Sequence, residues 1–235
     1  MAERKPVAVV AGVGPGNGAA LARRFARGGY AIALLSRGPD TRAALEKELE
    51  GARGYDCDVG SADSVARAFA SIRADLGEVC VLLYNAGSGV FGDVQSITAA
   101  QFEVSWRVNA YGALLCSQQV VPAMKAAGQG AIVFIGATAS RRGGPRSAAF
   151  APAKAAQRSL AESMARSLWP AGIHVCLIII DGVVDLPRTR QAMPDKPDSF
   201  FIKPAAVADS AFELTRQDPS AWSFEVEARP LGESW

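Results

Sequence analysis

The segment Phe150-Ala151-Pro152-Ala153-Lys154 opens an alanine-rich stretch of helical period. Residues four apart on a helix share a face, with Cβ atoms about 5–6 Å apart, so the ring and the ammonium group are neighbours. Pro152 is compatible with this, because proline is tolerated in a first helical turn. A lysine placed there can donate hydrogen bonds to a sugar hydroxyl or, once desolvated, act as an acid. The phenylalanine has no exchangeable proton and can do neither. Other groups able to handle a proton cluster at two places: the hydroxyls of Thr138 and Ser140 after one apolar run, and the carboxylates of Asp181 and Asp185 after another. Each is also a good capping residue for a loop or helix.

A second chemistry is written near the start of the chain. The apolar run Val7–Ala11 leads into Gly12-Val13-Gly14-Pro15-Gly16-Asn17-Gly18 and then into a helical pattern. A strand, a glycine turn and a helix N-terminus make an anion site, because glycine lets the backbone approach a pyrophosphate and the first helical N–H groups point at it. The next apolar run ends Leu34-Leu35-Ser36-Arg37. An acidic residue there would accept hydrogen bonds from an adenosine ribose and select NAD, whereas a small polar residue followed by arginine leaves room and charge for a 2′-phosphate. The expectation is therefore NADP(H) in preference to NAD(H).

Short apolar runs alternate with helical segments along the chain, the pattern of a mostly parallel sheet covered by helices on both faces. The expected strands are Val7–Ala11, Ala31–Ser36, Arg53–Asp56, Val79–Tyr84, Ala131–Ile135, Ile173–Ile180 and Ser223–Ala228. Helices are expected at Gly18–Gly28, Thr41–Glu50, Ser61–Leu76, Ala100–Ala127, Ala151–Leu168 and Pro204–Arg216, with Ser61 as an N-cap and Pro170 and Gly172 as a stop. Residues 182–203 are proline-broken and irregular, which suits a substrate lid. Phe91, Trp106, Met193, Phe200 and Phe201 are candidates for an apolar pocket or for the core.

Bulk properties narrow the class. At 235 residues and 49% hydrophobic content, one domain with a sizeable core is expected. Lysine plus arginine (25) nearly balances aspartate plus glutamate (23), which disfavours a nucleic-acid partner. Cys57, Cys80, Cys116 and Cys176 are scattered and His174 is the single histidine, so no metal site is expected. Apolar runs fall short of a membrane span, the N-terminus lacks the three-part pattern of a secretory signal, and free thiols fit a reducing compartment, so a cytoplasmic protein is expected.

Taken together these segments resemble the short-chain dehydrogenase/reductase family. Gly12, Gly16 and Gly18 match its GxxxGxG turn, Asn85-Ala86-Gly87 its NAG motif, and Lys154 the lysine of YxxxK; Asp58, followed by Val59, resembles the acid that contacts the adenine, and Asn109 falls where the family has an asparagine in a long helix. The resemblance implies a single doubly wound Rossmann-like domain, a seven-stranded sheet, a nicotinamide cofactor, hydride transfer at a carbonyl or alcohol carbon, and a homodimer or homotetramer. It implies that Lys154 binds the nicotinamide ribose, that Asn109 holds a water linking the lysine to solvent, and that residues near Gly182 and Val184 adjoin the nicotinamide.

The pattern departs from the family where protons are handled. The tyrosine position is Phe150 and the serine position, thirteen places earlier, is Ala137. Losing a positioned general acid costs about 10²–10⁴ in rate, and losing an oxyanion donor costs on the order of 10²–10³ more. Thr138, Ser140, Asp181, Tyr84, Tyr111 and Lys154 itself are the candidate replacements. Asp181 also stands where the family has proline before Gly182. The readings left open are an oxidoreductase with a rearranged proton donor, a cofactor-binding protein without catalysis, and a scaffold that binds no nucleotide.

Overall fold

The computed structural model describes residues 5–233. Nine strands are found among them: β1 (Val7–Ala11), β2 (Ala31–Ser36), β3 (Ala52–Asp56), β4 (Val79–Tyr84), β5 (Gly130–Ala137), β6 (Ile173–Ile180), β7 (Val183–Val184), β8 (Phe201–Ile202) and β9 (Glu225–Ala228). The helices are α1 (Asn17–Arg27), α2 (Asp40–Glu48), α3 (Ala62–Asp75), α4 (Ala99–Trp106), α5 (Gly112–Ala127), α6 (Phe150–Leu168), α7 (Pro187–Ala192) and α8 (Pro204–Leu214).

Seven strands form one sheet in the order β3-β2-β1-β4-β5-β6-β9, and each pairing is parallel. This is the Rossmann-like α/β arrangement that the alternation predicts, fully rather than mostly parallel. Both faces are buried, so the strands read as near-continuous apolar runs rather than as alternations. Successive residues of β1 serve opposite faces: Val7, Val9 and Ala11 pack in one core with α3, α5 and α6, while Ala8 and Val10 pack in the other with α1 and α8. Strand order reverses between β1 and β4, and in open sheets of this kind the crevice beyond the carboxyl ends at such a switch is the ligand site.

Some elements differ from expectation. The span Ala100–Ala127 is not one regular helix: a π turn, Arg107–Tyr111, separates α4 from α5. A π turn redirects backbone carbonyls, and two of them find side-chain donors: the Tyr84 hydroxyl donates to Val108 O at 2.5 Å and Gln157 Nε2 donates to Asn109 O at 2.9 Å. Residues 182–203 carry more order than their prolines suggest, with α7 and a two-stranded parallel pair, β7 and β8. Ser61 caps α3 as expected, accepting the Ser64 N–H. His174 is buried in β6, with its ring nitrogens on Leu214 O and Ser223 O and its ring stacked on Trp222, so it serves as a strut between β6 and the C-terminal segment.

Candidate functional site

At the β1–β4 switch lies a cleft of about 1190 Å³. Gly12, Gly14, Gly16, Asn17, Gly18, Ser36, Arg37, Asp58, Val59, Asn85, Ala86, Gly87 and Val184 all line it. Its shape depends on missing side chains. Gly12 has φ +94°, and a Cβ there would lie 2.5 Å from Ala86 N and Cα; a Cβ on Gly18 would lie 2.6 Å from Gly12 O. Asn85 fastens the turn, its Nδ2 donating to Gly12 O at 2.7 Å and its N–H to Ala11 O at 2.9 Å. A Cβ on Gly14, in contrast, would meet nothing within 4 Å. No side chain caps α1, and with the Ala19 N–H taken by Gly14 O at 2.9 Å it is the N–H groups of Asn17 and Gly18 that the helix start offers a ligand; Asn17 Oδ1 is buried without a partner. An uncapped helix start beside an open glycine fits a pyrophosphate.

The far end of the cleft is polar. The Ser36 hydroxyl donates to Gly38 O at 2.6 Å, folding the chain after β2 back on itself and leaving Arg37 exposed on the cleft wall. Asp58 is exposed; its Oδ1 accepts the Gly60 N–H at 3.0 Å and its own N–H donates to Ser64 Oγ.

Lys154 and Asn109 stand behind Gly87 rather than on the cleft wall. A Cβ on Gly87 would be 3.4 Å from Asn109 Oδ1 and 4.0 Å from Lys154 Nζ. Both residues are buried. Lys154 Nζ donates to Ile135 O at 2.8 Å and to Gln157 Oε1 at 3.1 Å, which leaves one of its three N–H bonds to spare. Burial lowers its pKa to about 7. Asn109 Nδ2 donates to Ser105 O and Ser88 O, while its Oδ1 is buried with no partner. Gln157 thus spans the lysine and the Asn109 carbonyl. The sequence reading did not single it out; a glutamine on the buried face of α6, three places after Lys154, is the signal that marks it.

The candidate proton donors are placed as follows. Phe150 is half-buried and its ring packs on Phe91, centroids 5.1 Å apart. Ser140 is buried and its hydroxyl accepts the Ala137 N–H at 3.1 Å. Thr138 donates to Asp181 Oδ1, and the other Asp181 oxygen accepts from Arg229 Nη1 at 2.8 Å. Asp185 is held bidentately by Arg190 at 2.7 and 2.8 Å, which lowers its pKa. Tyr84 is fully buried in the core, and Tyr111 stacks on Trp106. Gly182 turns away from the cleft, where a Cβ would meet Pro230.

Residues 186–189, part of the expected substrate lid, line the nucleotide cleft itself. Leu186 lies over the glycine turn, its Cδ2 only 2.5 Å from where a Gly16 Cβ would sit. Thr189 Oγ1 accepts the Leu186 N–H, and Arg190 ties Asp185 to Asp198 while resting over the Phe201 ring. Among the described residues no group of histidine, cysteine, aspartate and glutamate could hold a metal ion, and no helix is long and apolar enough to cross a membrane.

The comparisons agree with this architecture. The family model described as short chain dehydrogenase matches residues 6–196. The chain is 31% identical over 220 residues to 3-oxoacyl-[acyl-carrier-protein] reductase MabA of Mycobacterium bovis, covering 90% of this chain and 86% of that protein. It superposes with a TM-score of 0.83 on a short-chain dehydrogenase from Rhodopseudomonas palustris at 33% identity, covering 97% and 100% of the two chains. It does so with the same TM-score on a metagenomic short-chain oxidoreductase in complex with NADP at 28% identity, covering 97% of each. The chain belongs to the short-chain dehydrogenase family.

Proposed function

We propose that this chain is an NADP(H)-dependent oxidoreductase that moves hydride to or from a small carbonyl, alcohol or related carbon, with a proton arrangement other than the serine–tyrosine pair. The observation that carries the reading is the single cleft that gathers the glycine turn, the uncapped start of α1, Arg37, Asp58 and Asn85–Gly87. In it the turn and helix hold the pyrophosphate, Arg37 beside Ser36 neutralises the 2′-phosphate, and Asp58 with Val59 borders the adenine. The spare N–H of Lys154 binds a hydroxyl of the nicotinamide ribose, while the Ile135 carbonyl and Gln157, itself braced on the Asn109 carbonyl, hold that lysine in place. When bound, the cofactor supplies or accepts the hydride. Residues 182–203 act as the lid, with Leu186 over the glycine turn and Val184 toward the nicotinamide. The NADP complex of the metagenomic relative supports the choice of nucleotide. The protein is expected to work in the cytoplasm as a homodimer or homotetramer.

The test is NADPH oxidation against aldehydes, ketones, quinones and imines: turnover above the enzyme-free rate with at least one class is expected, and none with any class refutes the activity. Arg37→Ala should weaken NADPH at least about tenfold while leaving NADH unchanged, as loss of one charge-assisted pair requires.

A second reading, cofactor binding without catalysis, is favoured by one observation: the hydroxyl of Ser140 and the pair Thr138–Asp181 are engaged within the protein. The double reversal Ala137→Ser with Phe150→Tyr separates the two. Strong activity created in an otherwise inactive chain, with cofactor affinity unchanged, supports the second reading; an active parent sinks it.

A further inference from the structure

We propose, on the basis of the oxidoreductase reading above, that this site passes hydride without passing a proton and that its acceptor is an iminium ion, a carbon–nitrogen double bond that already carries positive charge. Three features of the structure converge on this.

First, the groups that could give a proton are occupied or isolated. Ser140 is buried and used by the Ala137 N–H, Thr138 and Asp181 are used by each other and Arg229, and Lys154 gives two N–H bonds to Ile135 O and Gln157 and keeps its third for the nicotinamide ribose. Second, Lys154 is buried and its polar contact toward the Asn109 carbonyl is Gln157. Its Oε1 accepts from Lys154 and its Nε2 donates to Asn109 O, and an amide fixed at both ends does not exchange protons along the chain as a water does. Third, the position that lacks the acid presents an aromatic face. Phe150, the first residue of α6, packs on Phe91, which is 60% exposed, and the loop that carries Phe91 is fastened to the segment just before α6 by Gly92 N to Arg146 O at 2.9 Å and Ala148 N to Gly92 O at 3.1 Å. Such a pair attracts a cation through its ring quadrupoles, an effect of about two- to five-fold in affinity at an exposed site. On the neighbouring loop Arg141 pairs with Glu225 and Glu227, and Arg142 lies 3.7 Å from Asp181.

The step balances on these terms. The C4–H bond of the reduced nicotinamide breaks and its electron pair forms the new C–H bond; the C=N π pair becomes the nitrogen lone pair. Reduced nicotinamide becomes pyridinium, the iminium becomes a neutral amine, and no proton is drawn from the protein. A ketone would instead leave an alkoxide facing Ala137 and Phe150, with no donor aimed at it.

The experiment compares N-methyl-3,4-dihydroisoquinolinium, 1-tetralone and 1,4-naphthoquinone as substrates with NADPH, each corrected for the enzyme-free rate. The iminium is expected to be reduced with kcat/KM at least about a hundredfold above the ketone, the loss expected for an absent acid, and with the same kcat in H₂O and D₂O. Phe91→Leu, which keeps apolar bulk without a π face at an exposed site, should raise KM for the iminium about two- to five-fold. Phe150→Tyr should raise ketone reduction and not iminium reduction. Ketone or quinone turnover as fast as iminium turnover overturns this inference and leaves the oxidoreductase reading standing, as does an unchanged KM in Phe91→Leu. No turnover with any of the three, in protein that binds NADPH saturably, overturns this inference, and the oxidoreductase reading falls as well when the wider panel with aldehydes also shows none.

Discussion

Lys154 shows how one residue can be read correctly by type and still owe its chemistry to neighbours that only the fold supplies. Its ammonium is enclosed, and burial lowers its pKa from the ordinary 10.5 to about 7. The sign of the consequence follows from linkage. Between pH 7 and 10.5 the unfolded chain binds this proton more tightly than the folded one, so folding stability gains from this group as pH rises through that window. Replacing Lys154 with Met removes the titration. The stability difference, parent minus variant, should therefore rise steadily from pH 7 to pH 10 in urea unfolding of the cofactor-free protein; a difference constant in pH would show that the lysine titrates normally. The glycines offer a second contrast. Gly12→Ala places a Cβ 2.5 Å from the Ala86 backbone at a positive φ and should cost about 1–3 kcal/mol, whereas Gly14→Ala points into open space and should change stability by less than about 0.5 kcal/mol while still weakening NADPH binding. Thermal unfolding of both variants, with and without NADPH, checks the pair.

At the scale of the element, the π turn between α4 and α5 organises the inner wall of the site. It presents the carbonyls of Val108 and Asn109, which Tyr84 and Gln157 satisfy from β4 and α6. Gln157→Leu strands the buried Asn109 carbonyl and takes an acceptor from Lys154, so a loss of about 1–3 kcal/mol is expected, read as a lowered urea midpoint at unchanged slope. Helical period made a continuous helix legible over Ala100–Ala127, yet no periodic signal marks one wide turn inside it, because the π geometry is stabilised by partners from β4 and α6. The same holds for residues 182–203. Their prolines read as irregular, and the order of α7, β7 and β8 comes from tertiary pairs, Arg190 with Asp185 and Asp198, and Val183–Val184 against Phe201–Ile202.

For the whole molecule, the parallel sheet and its switch point follow from alternation and from apolar runs that serve both faces, and these are properties of the sequence that need no coordinates. The glycine turn, Ser36-Arg37, Asp58 and Asn85–Gly87 sit at strand ends, so the topology alone gathers them into one cleft. What stayed illegible was set by long-range placement: Leu186 folded over Gly16, Asp181 tied to Thr138 and Arg229, and Gln157 bridging Lys154 to Asn109. The result is a nucleotide cleft of the family's form in a chain that carries Phe150 and Ala137 at the tyrosine and serine positions. The most direct test of its central claim is a fluorescence titration of the purified protein with NADPH and NADH in parallel. Saturable NADPH binding, with NADH at least about tenfold weaker, is the predicted result; no saturable binding of either nucleotide, or NADH binding as tightly as NADPH, would contradict it.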